Sequence, residues 1–358
     1  MSDNIQDELY LSDEGPAALV IREHLMPVEG RDGVLFPSTY AAGDGFEGGY
    51  NIDGDPGGEN VCLIDSVGSQ ANRIEPIFKE NQYKHLVPQV VVTAGENAVS
   101  ILDAGHRAGD ALVRCSGLEK EFSDAFKAAL RGNDEPLARI APTSLVFGVW
   151  DSRDTQAKRP RLVSSTIRAY NVRKLTRHAQ YVPPLDYVAA GQLEEPNDLR
   201  DAEGKIKGKH PFAQRGFTHL PVTKPESTRG GVIATGGIRR DATLSLVALR
   251  LLAAKDNKLT LILRRYILGL ALTAFTYQPT GYLRQGCLLV LDPEKPRELS
   301  EVFLDGKRKP ANLTHKQALD YAKLVADTFG VIKMDPVLFK PELAKKDLEK
   351  AKKAKKTE

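Results

Sequence analysis

The stretch Asp65-Ser-Val-Gly-Ser-Gln-Ala-Asn-Arg-Ile-Glu75 decides how this chain is read. On a helix turning about 100° per residue, Val67, Ala71, Ile74 and Phe78 fall on one narrow face. Ser69 and Arg73 fall on the opposite face, one turn apart, with Gln70 and Asn72 beside them. One face is built to pack. The other offers hydroxyl, amide and guanidinium donors, the groups that hold phosphates and sugars. Pro76 is expected to end or kink the helix near Glu75. The same pattern also fits a solvated outer face with no ligand.

Working outward, Val61-Cys-Leu-Ile64 reads as a short buried strand feeding that helix, and the Gly-, Asp- and Pro-rich residues 28–60 before it read as loop. Residues 88–93 and the apolar run Thr143 to Trp150 read as strands, and 120–130 as a helix. Residues 183–230 carry Pro, Gly and Lys without a sustained period. A stretch of that length inside a domain is often functional, and it is read as an inserted arm. Gly230 to Gly237 then leads into Asp241–Ala254, expected to be a helix with Leu244, Val247 and Leu251 on one face. Residues 259–276 form another apolar element. Thr314-His-Lys-Gln317 is a capping box, followed by Ala318, Tyr321, Ala322, Val325 and Phe329 at helical spacing and Gly330 as the stop. The organisation expected is one domain over 1–340, with the insertion at about 183–230, and a Lys-rich flexible tail over 341–358.

The net charge of +3 says little about partners, but its distribution says more. Residues 1–60 hold thirteen acidic and two basic side chains, whereas 150–180 and 203–240 each hold eight basic and two acidic ones. Such polarity suits a polyanion on one surface and head-to-tail association of copies, and it also fits a solvated surface that cancels locally. Cys62, Cys115 and Cys287 are odd in number and far apart, which argues against a disulfide framework and a zinc knuckle. The first residues lack a basic-then-apolar signal, and Tyr266 to Leu283 is a poor span because of Gln278, Pro279 and Gly281. The expectation is a cytoplasmic protein with no membrane contact.

Three further segments carry chemistry. In Lys158-Arg-Pro-Arg-Leu-Val-Ser-Ser-Thr-Ile-Arg168, Arg159, Arg161 and Arg168 suit phosphate, with Ser164 and Ser165 as neutral donors. Just upstream, Trp150 either stacks on a base or fills the core, the core being the default after an apolar run. Gly236-Gly-Ile-Arg239-Arg240 is expected to open the apolar helix, where glycines admit a ligand and a helix N-terminus favours anions; it also fits a tight turn with two exposed arginines. It is neither a dinucleotide fingerprint nor a P-loop. His106-Arg107-Ala-Gly-Asp110 places a His and an Asp four apart, on one face if helical. That is half of a metal site or an acid–base pair. No second ligand pair with metal spacing accompanies it, and a structural His–Asp bond, or His106 and Arg107 on phosphate, is the reading preferred to chemistry.

Taken in order, Asp65–Glu75, His106-Arg-Ala-Gly-Asp-Ala111, Leu145-Val-Phe-Gly-Val-Trp-Asp-Ser152 with Arg161-Leu-Val-Ser-Ser165, and Gly236-Gly-Ile-Arg-Arg-Asp241 resemble the backbone subunit of type I-G (formerly I-U) CRISPR Cascade. This is a branch of the Cas-seven family in the RAMP superfamily, and the resemblance spans roughly 30–300. Ser66-x-x-Ser69-Gln70-x-x-Arg73 also resembles a helix that faces guide RNA in these subunits more widely. The resemblance implies an α+β fold, an RRM-like (ferredoxin-like) palm with inserted thumb and finger segments. It implies a non-catalytic subunit that polymerises along crRNA and presents it to target DNA. The implied partners are further copies of itself, a large subunit and a fused Cas-five/Cas-six subunit. No cofactor and no metal are implied. The aromatic signature of RNA-binding RRM sheets is not legible, so contacts are expected to phosphate and sugar, with sequence read by base pairing.

The RNA-binding candidates are therefore Ser69, Gln70, Asn72 and Arg73; Arg159, Arg161, Ser164, Ser165 and Arg168; Arg239 and Arg240; and His106 with Arg107. Lys205, Lys207, Lys209 and Arg215 are the thumb or finger candidates, and the acidic N-terminal segment is a candidate contact to the next copy. The competing readings are a metal-dependent nuclease using His106 and Asp110, and an RNA-binding protein outside CRISPR.

Overall fold

Strands of alternating apolar and polar residues bury one face and leave the other wetter, because successive side chains point to opposite sides. In the computed structural model, which describes residues 5–55, 58–177, 180–221 and 229–354, six such strands build most of a nine-stranded antiparallel sheet that curls into a half-barrel. They are β1 (Ala18–Pro27), β2 (Asn60–Asp65), β3 (Val163–Tyr170), β4 (Ile238–Ser245), β5 (Cys287–Leu291) and β6 (Glu298–Val302). The order runs Tyr282–Arg284, β5, β1, β4, β3, β2, Ile52–Gly54, and β6 pairs with β1 beside β5.

Register places Leu19, Ile21, Glu23 and Leu25 of β1 opposite Leu244, Ala242, Arg240 and Ile238 of β4. It places Val163, Ser165, Ile167 and Ala169 of β3 opposite the same four. All lie on one face of the sheet. At one end Leu19, Ile21, Val163, Ala242 and Leu244 join the main core under the helices. At the other end Ile167, Ala169 and Ile238 join a second cluster with Cys62, Ile64, Leu283 and Leu289. Between the two apolar ends the face is polar.

Four helices matter to the layer over the main core: α1 (Val67–Ile74), α2 (Glu119–Leu130), α3 (Asn257–Thr276) and α4 (His315–Phe329). In α1 the Ser66 hydroxyl accepts from the Ser69 N–H, Ala71 and Ile74 are buried, and the chain tightens into a 3₁₀ turn at Glu75 and Pro76, as the sequence predicts. The Thr314 capping box and the left-handed Gly330 bound α4. Helix α3 is long and apolar enough to cross a membrane by those criteria alone, but 67% of its apolar window is buried in this fold. It crosses α4 at Gly269, where a Cβ would lie 2.6 Å from Val325 Cγ2 and 2.9 Å from Ala322 Cα. The Tyr266 ring stacks on Phe329 at 4.2 Å, and its hydroxyl donates to the Leu86 carbonyl at 2.8 Å.

Three local expectations are corrected. Residues 238–245 are strand β4, and only Leu246–Arg250 is helical. The period of two in Ile238, Arg240, Ala242 and Leu244 outweighs the helical spacing of Leu244, Val247 and Leu251, and the last two are exposed. Gly236 and Gly237 consequently form a turn that joins Arg229–Ala234, paired with Val172–Thr176, to β4, paired with β3, rather than open a helix. Thr143–Phe147 is helical, and Gly148 at φ 80° turns the chain into the short strand Val149–Trp150. Short apolar runs do not separate strand from helix by periodicity. Trp150 is 54% exposed, with Lys158 Nζ 5.3 Å from its ring centroid, so it does not fill the core.

Over the inserted stretch, Gln180–Tyr181 pairs with Leu220–Pro221, and Pro211–Gln214 forms one helical turn. Lys205, Lys207, Lys209 and Arg215 are exposed. Residues 222–228 of that stretch, and 355–358 of the Lys-rich tail, lie outside the described residues. Before them, α5 (Pro341–Ala354) is helical and Asp347 pairs with Arg114.

Candidate nucleic-acid interface

Two polar surfaces arise from the sheet, one on each face. The inner one is the belt between the apolar clusters. Arg240 Nη1 donates to Glu23 Oε2 at 2.7 Å and Arg240 Nε to Ser165 Oγ at 2.9 Å. Ser165 Oγ donates to Gln70 Oε1 at 2.9 Å, and Gln70 Nε2 to Asp65 Oδ2 at 2.7 Å. Asp65 also accepts from Ser69 Oγ (2.8 Å), Arg73 Nε (3.1 Å) and Arg284 (3.1 Å). Asp65 and Gln70 are fully buried. The polar face of α1 is thus turned onto the belt, where its donors satisfy a buried carboxylate that would otherwise cost several kcal/mol. Asn72 alone of the four α1 candidates is exposed.

The outer face carries the opposite side chains of the same strands. His24 and Arg168 both lie opposite Arg239 in register, and Arg22 lies opposite Asp241. Four basic or titratable side chains from three strands, 217 positions apart at the extremes, are thereby brought side by side. Arg239 Nη2 donates to the Tyr170 hydroxyl at 2.8 Å with its guanidinium 4.9 Å over that ring, and Nε donates to Asp241 at 2.8 Å. Burial works to lower the Arg239 pKa, but the bond and charge of Asp241 outweigh it and the net shift is upward. Arg168 donates to Thr166 Oγ1 at 2.7 Å and Ser164 is half-buried beside it. An open cleft of about 530 Å³ adjoins this face, lined by His24, Asn60, Tyr170, Gly236, Gly237 and Arg239 among others. A Cβ at Gly236 would lie 2.8 Å from the Tyr170 carbonyl oxygen, so this wall admits no larger residue without movement.

The remaining candidates are dispersed. Arg107 is buried at φ 52°, donates to Glu75 Oε2 at 2.6 Å and lies 5.4 Å over the Phe147 ring. Burial pushes the Glu75 carboxyl up to about 7, with Arg107 pulling the other way. His106 is exposed in the turn before it, and Asp110 caps the next helix by accepting from the Leu112 N–H. The shared helical face expected of His106 and Asp110 therefore does not form: the backbone is a 3₁₀ turn followed by an extended residue. Among the described residues, no group of three or more His, Cys, Asp or Glu is placed to hold a metal ion. Arg159 pairs with Asp134 and also donates to the Ala129 carbonyl, while Arg161 is exposed, its pKa lowered by desolvation and then by Arg107. In the acidic N-terminal segment, Asp7 accepts from Arg265 and Tyr321, and Glu23 pairs with Arg240.

Sequence reasoning passed over Arg22, His24 and Tyr170. Their signal is the period-two spacing of 22–24 and 164–170, which becomes a surface only when strand pairing is known.

Residues 19–174 match the family model described as CRISPR-associated protein GSU0053. The match indicates a CRISPR-associated protein family and so suggests a role in CRISPR defence, in the setting of a CRISPR effector complex. It covers β1, α1, β2 and β3, which include three of the strands that carry both polar surfaces. No curated protein matches the chain.

Proposed function

We propose that the chain is a non-catalytic, crRNA-binding backbone subunit of a type I CRISPR interference complex, of the type I-G kind, polymerising along guide RNA and presenting it to target DNA. The observation that carries this reading is the outer face of the sheet, where Arg22, His24, Arg168 and Arg239 stand together with Tyr170 and small hydroxyl side chains. Cations and neutral donors on one surface hold a phosphate backbone without reading its sequence, which leaves sequence to base pairing.

An RRM-like palm is supported by strand order. Among β1, β3, β4 and β5/β6, taken as first to fourth in the chain, the spatial order is fourth, first, third, second, all antiparallel. Helices intervene between the first and second and between the third and fourth. That is the arrangement of a split βαβ sheet. The exposed Lys205, Lys207, Lys209 and Arg215 suit a thumb or finger crossing the RNA or a neighbouring copy. Further copies, a large subunit and a fused Cas-five/Cas-six subunit are the proposed cytoplasmic partners.

The test is co-expression with the neighbouring genes and a CRISPR array, followed by sequencing of the nucleic acid that co-purifies. A uniform repeat-derived RNA in a particle much larger than one chain is expected. An RNA-free monomer obtained with all partners present would overturn the proposal.

A further inference from the structure

On the inner side of the sheet, the polar belt borders a cavity of about 320 Å³ that the outer-face reading does not use. Its walls are largely apolar: Leu25, Ile167, Leu283, Leu289 and Val290, closed on one side by the Gln278–Gly281 turn. The polar side chains lining it include Arg240 and Glu23. Arg240 is 3% exposed, and two of its three nitrogens are engaged, Nη1 with Glu23 and Nε with Ser165. Its Nη2 is buried and has no hydrogen-bond partner. Leaving such a donor unpaired costs about 1–3 kcal/mol, so the cavity favours an occupant that brings an acceptor.

Glu23 already neutralises Arg240, which favours a neutral acceptor over a buried carboxylate. The walls call for a flat apolar body, and the volume accommodates one planar ring. Around the lining, three guanidiniums remain in partial contact with solvent. Arg73 donates to the Leu283 carbonyl, Arg284 follows Leu283 in the chain, and Arg297 lies 3.2 Å from Glu23. Their side chains are 31%, 24% and 30% exposed. An apolar slot with one neutral-acceptor site at its base and cations at its margin matches a nucleotide, base inward and phosphate outward.

We infer that this cavity is a nucleobase subsite, taking one unstacked base of a bound single-stranded RNA with a keto oxygen on Arg240 Nη2. This rests on the RNA-binding reading above and adds a place where the strand leaves the outer face.

The test uses the full chain, assembled by the same co-expression, with RNA carrying 4-thiouridine, irradiated and digested for peptide mapping. The expected crosslinks fall on the peptide spanning 278–291 and disappear in Leu291→Trp, since Leu291 lies opposite Leu25 in register on the inner face. Leu291 is 40% exposed, and Thr280→Trp, at an exposed position of the turn that closes the cavity, serves as a second blocking variant should the first fail to fold. The salt dependence of RNA retention, set by the outer face, stays unchanged in a folded variant. Crosslinks confined to β1, β3 and β4, with RNA still held, would overturn the subsite and leave the RNA-binding reading standing. No retained RNA at all would overturn both.

Discussion

Replacing Asp65 by Asn tests whether the polar face of α1 belongs to the interior. Asp65 is fully buried and accepts from Ser69, Gln70, Arg73 and Arg284 at 2.7–3.1 Å. In Asp65→Asn the charge is lost, and the amide nitrogen must face one donor-bearing side of the cluster, either Gln70 and Arg73 or Ser69 and Arg284. Breaking a buried ion pair by removing one partner costs about 3–5 kcal/mol. Arg73 and Arg284 are 31% and 24% exposed and recover some hydration, which places the loss near the lower end. A loss of about 3 kcal/mol is roughly a hundredfold in the folding equilibrium. Urea unfolding followed by far-UV circular dichroism reads it; the single Trp150 is 54% exposed and would report the core poorly. Asn72→Ala, on the exposed side of the same helix, should change stability by no more than about 0.5 kcal/mol. An Asp65→Asn protein with an unshifted midpoint but lost RNA retention would refute the reasoning, because it would make this cluster a ligand face.

Other outcomes follow from the same geometry. Arg168→Ala and Arg239→Ala should each flatten the dependence of log K for single-stranded RNA on log salt by about 0.7; parallel salt titrations of the variants and the parent would expose an error. Gly269→Ala should destabilise by about 1–2 kcal/mol, the overpacking against Ala322 and Val325 exceeding the gain in helix propensity. Combining it with Val325→Ala should recover part of the Gly269→Ala penalty relative to Val325→Ala alone, and additive losses would count against that contact. His315 sits among Tyr83, Thr276 and Tyr277, and desolvation, then Arg297, lowers its pKa below 6.5. The unfolded chain then binds the proton more tightly, so stability is full above pH 6.5 and falls as pH drops toward the folded value. His315→Gln should flatten that limb of the pH–stability curve, and an unaltered slope would exclude His315 as its source.

The sequence by itself determined the elements whose cause is local. The capping box at Thr314 and the glycine at 330 bound α4, and the spacing of Ala71, Ile74 and Phe78 set the packed face of α1. Each depends on neighbours within a few turns, and periodicity records such neighbours directly. It also set α2 close to the expected 120–130, and it carried the ordered motifs that resemble a CRISPR backbone subunit. What covers a polar face was decided only by the tertiary structure. Ser69, Gln70 and Arg73 have the chemistry of phosphate ligands, yet in this fold they close on Asp65, because β2 delivers that carboxylate beneath them. Arg239 and Arg240 are adjacent in sequence but face opposite sides of β4, one toward Tyr170 and the outer cleft, the other buried against Glu23. No local pattern separates them. The pairing of β4 with β1 and β3 does, since a strand's period of two acquires an inside and an outside only when its partners are in place.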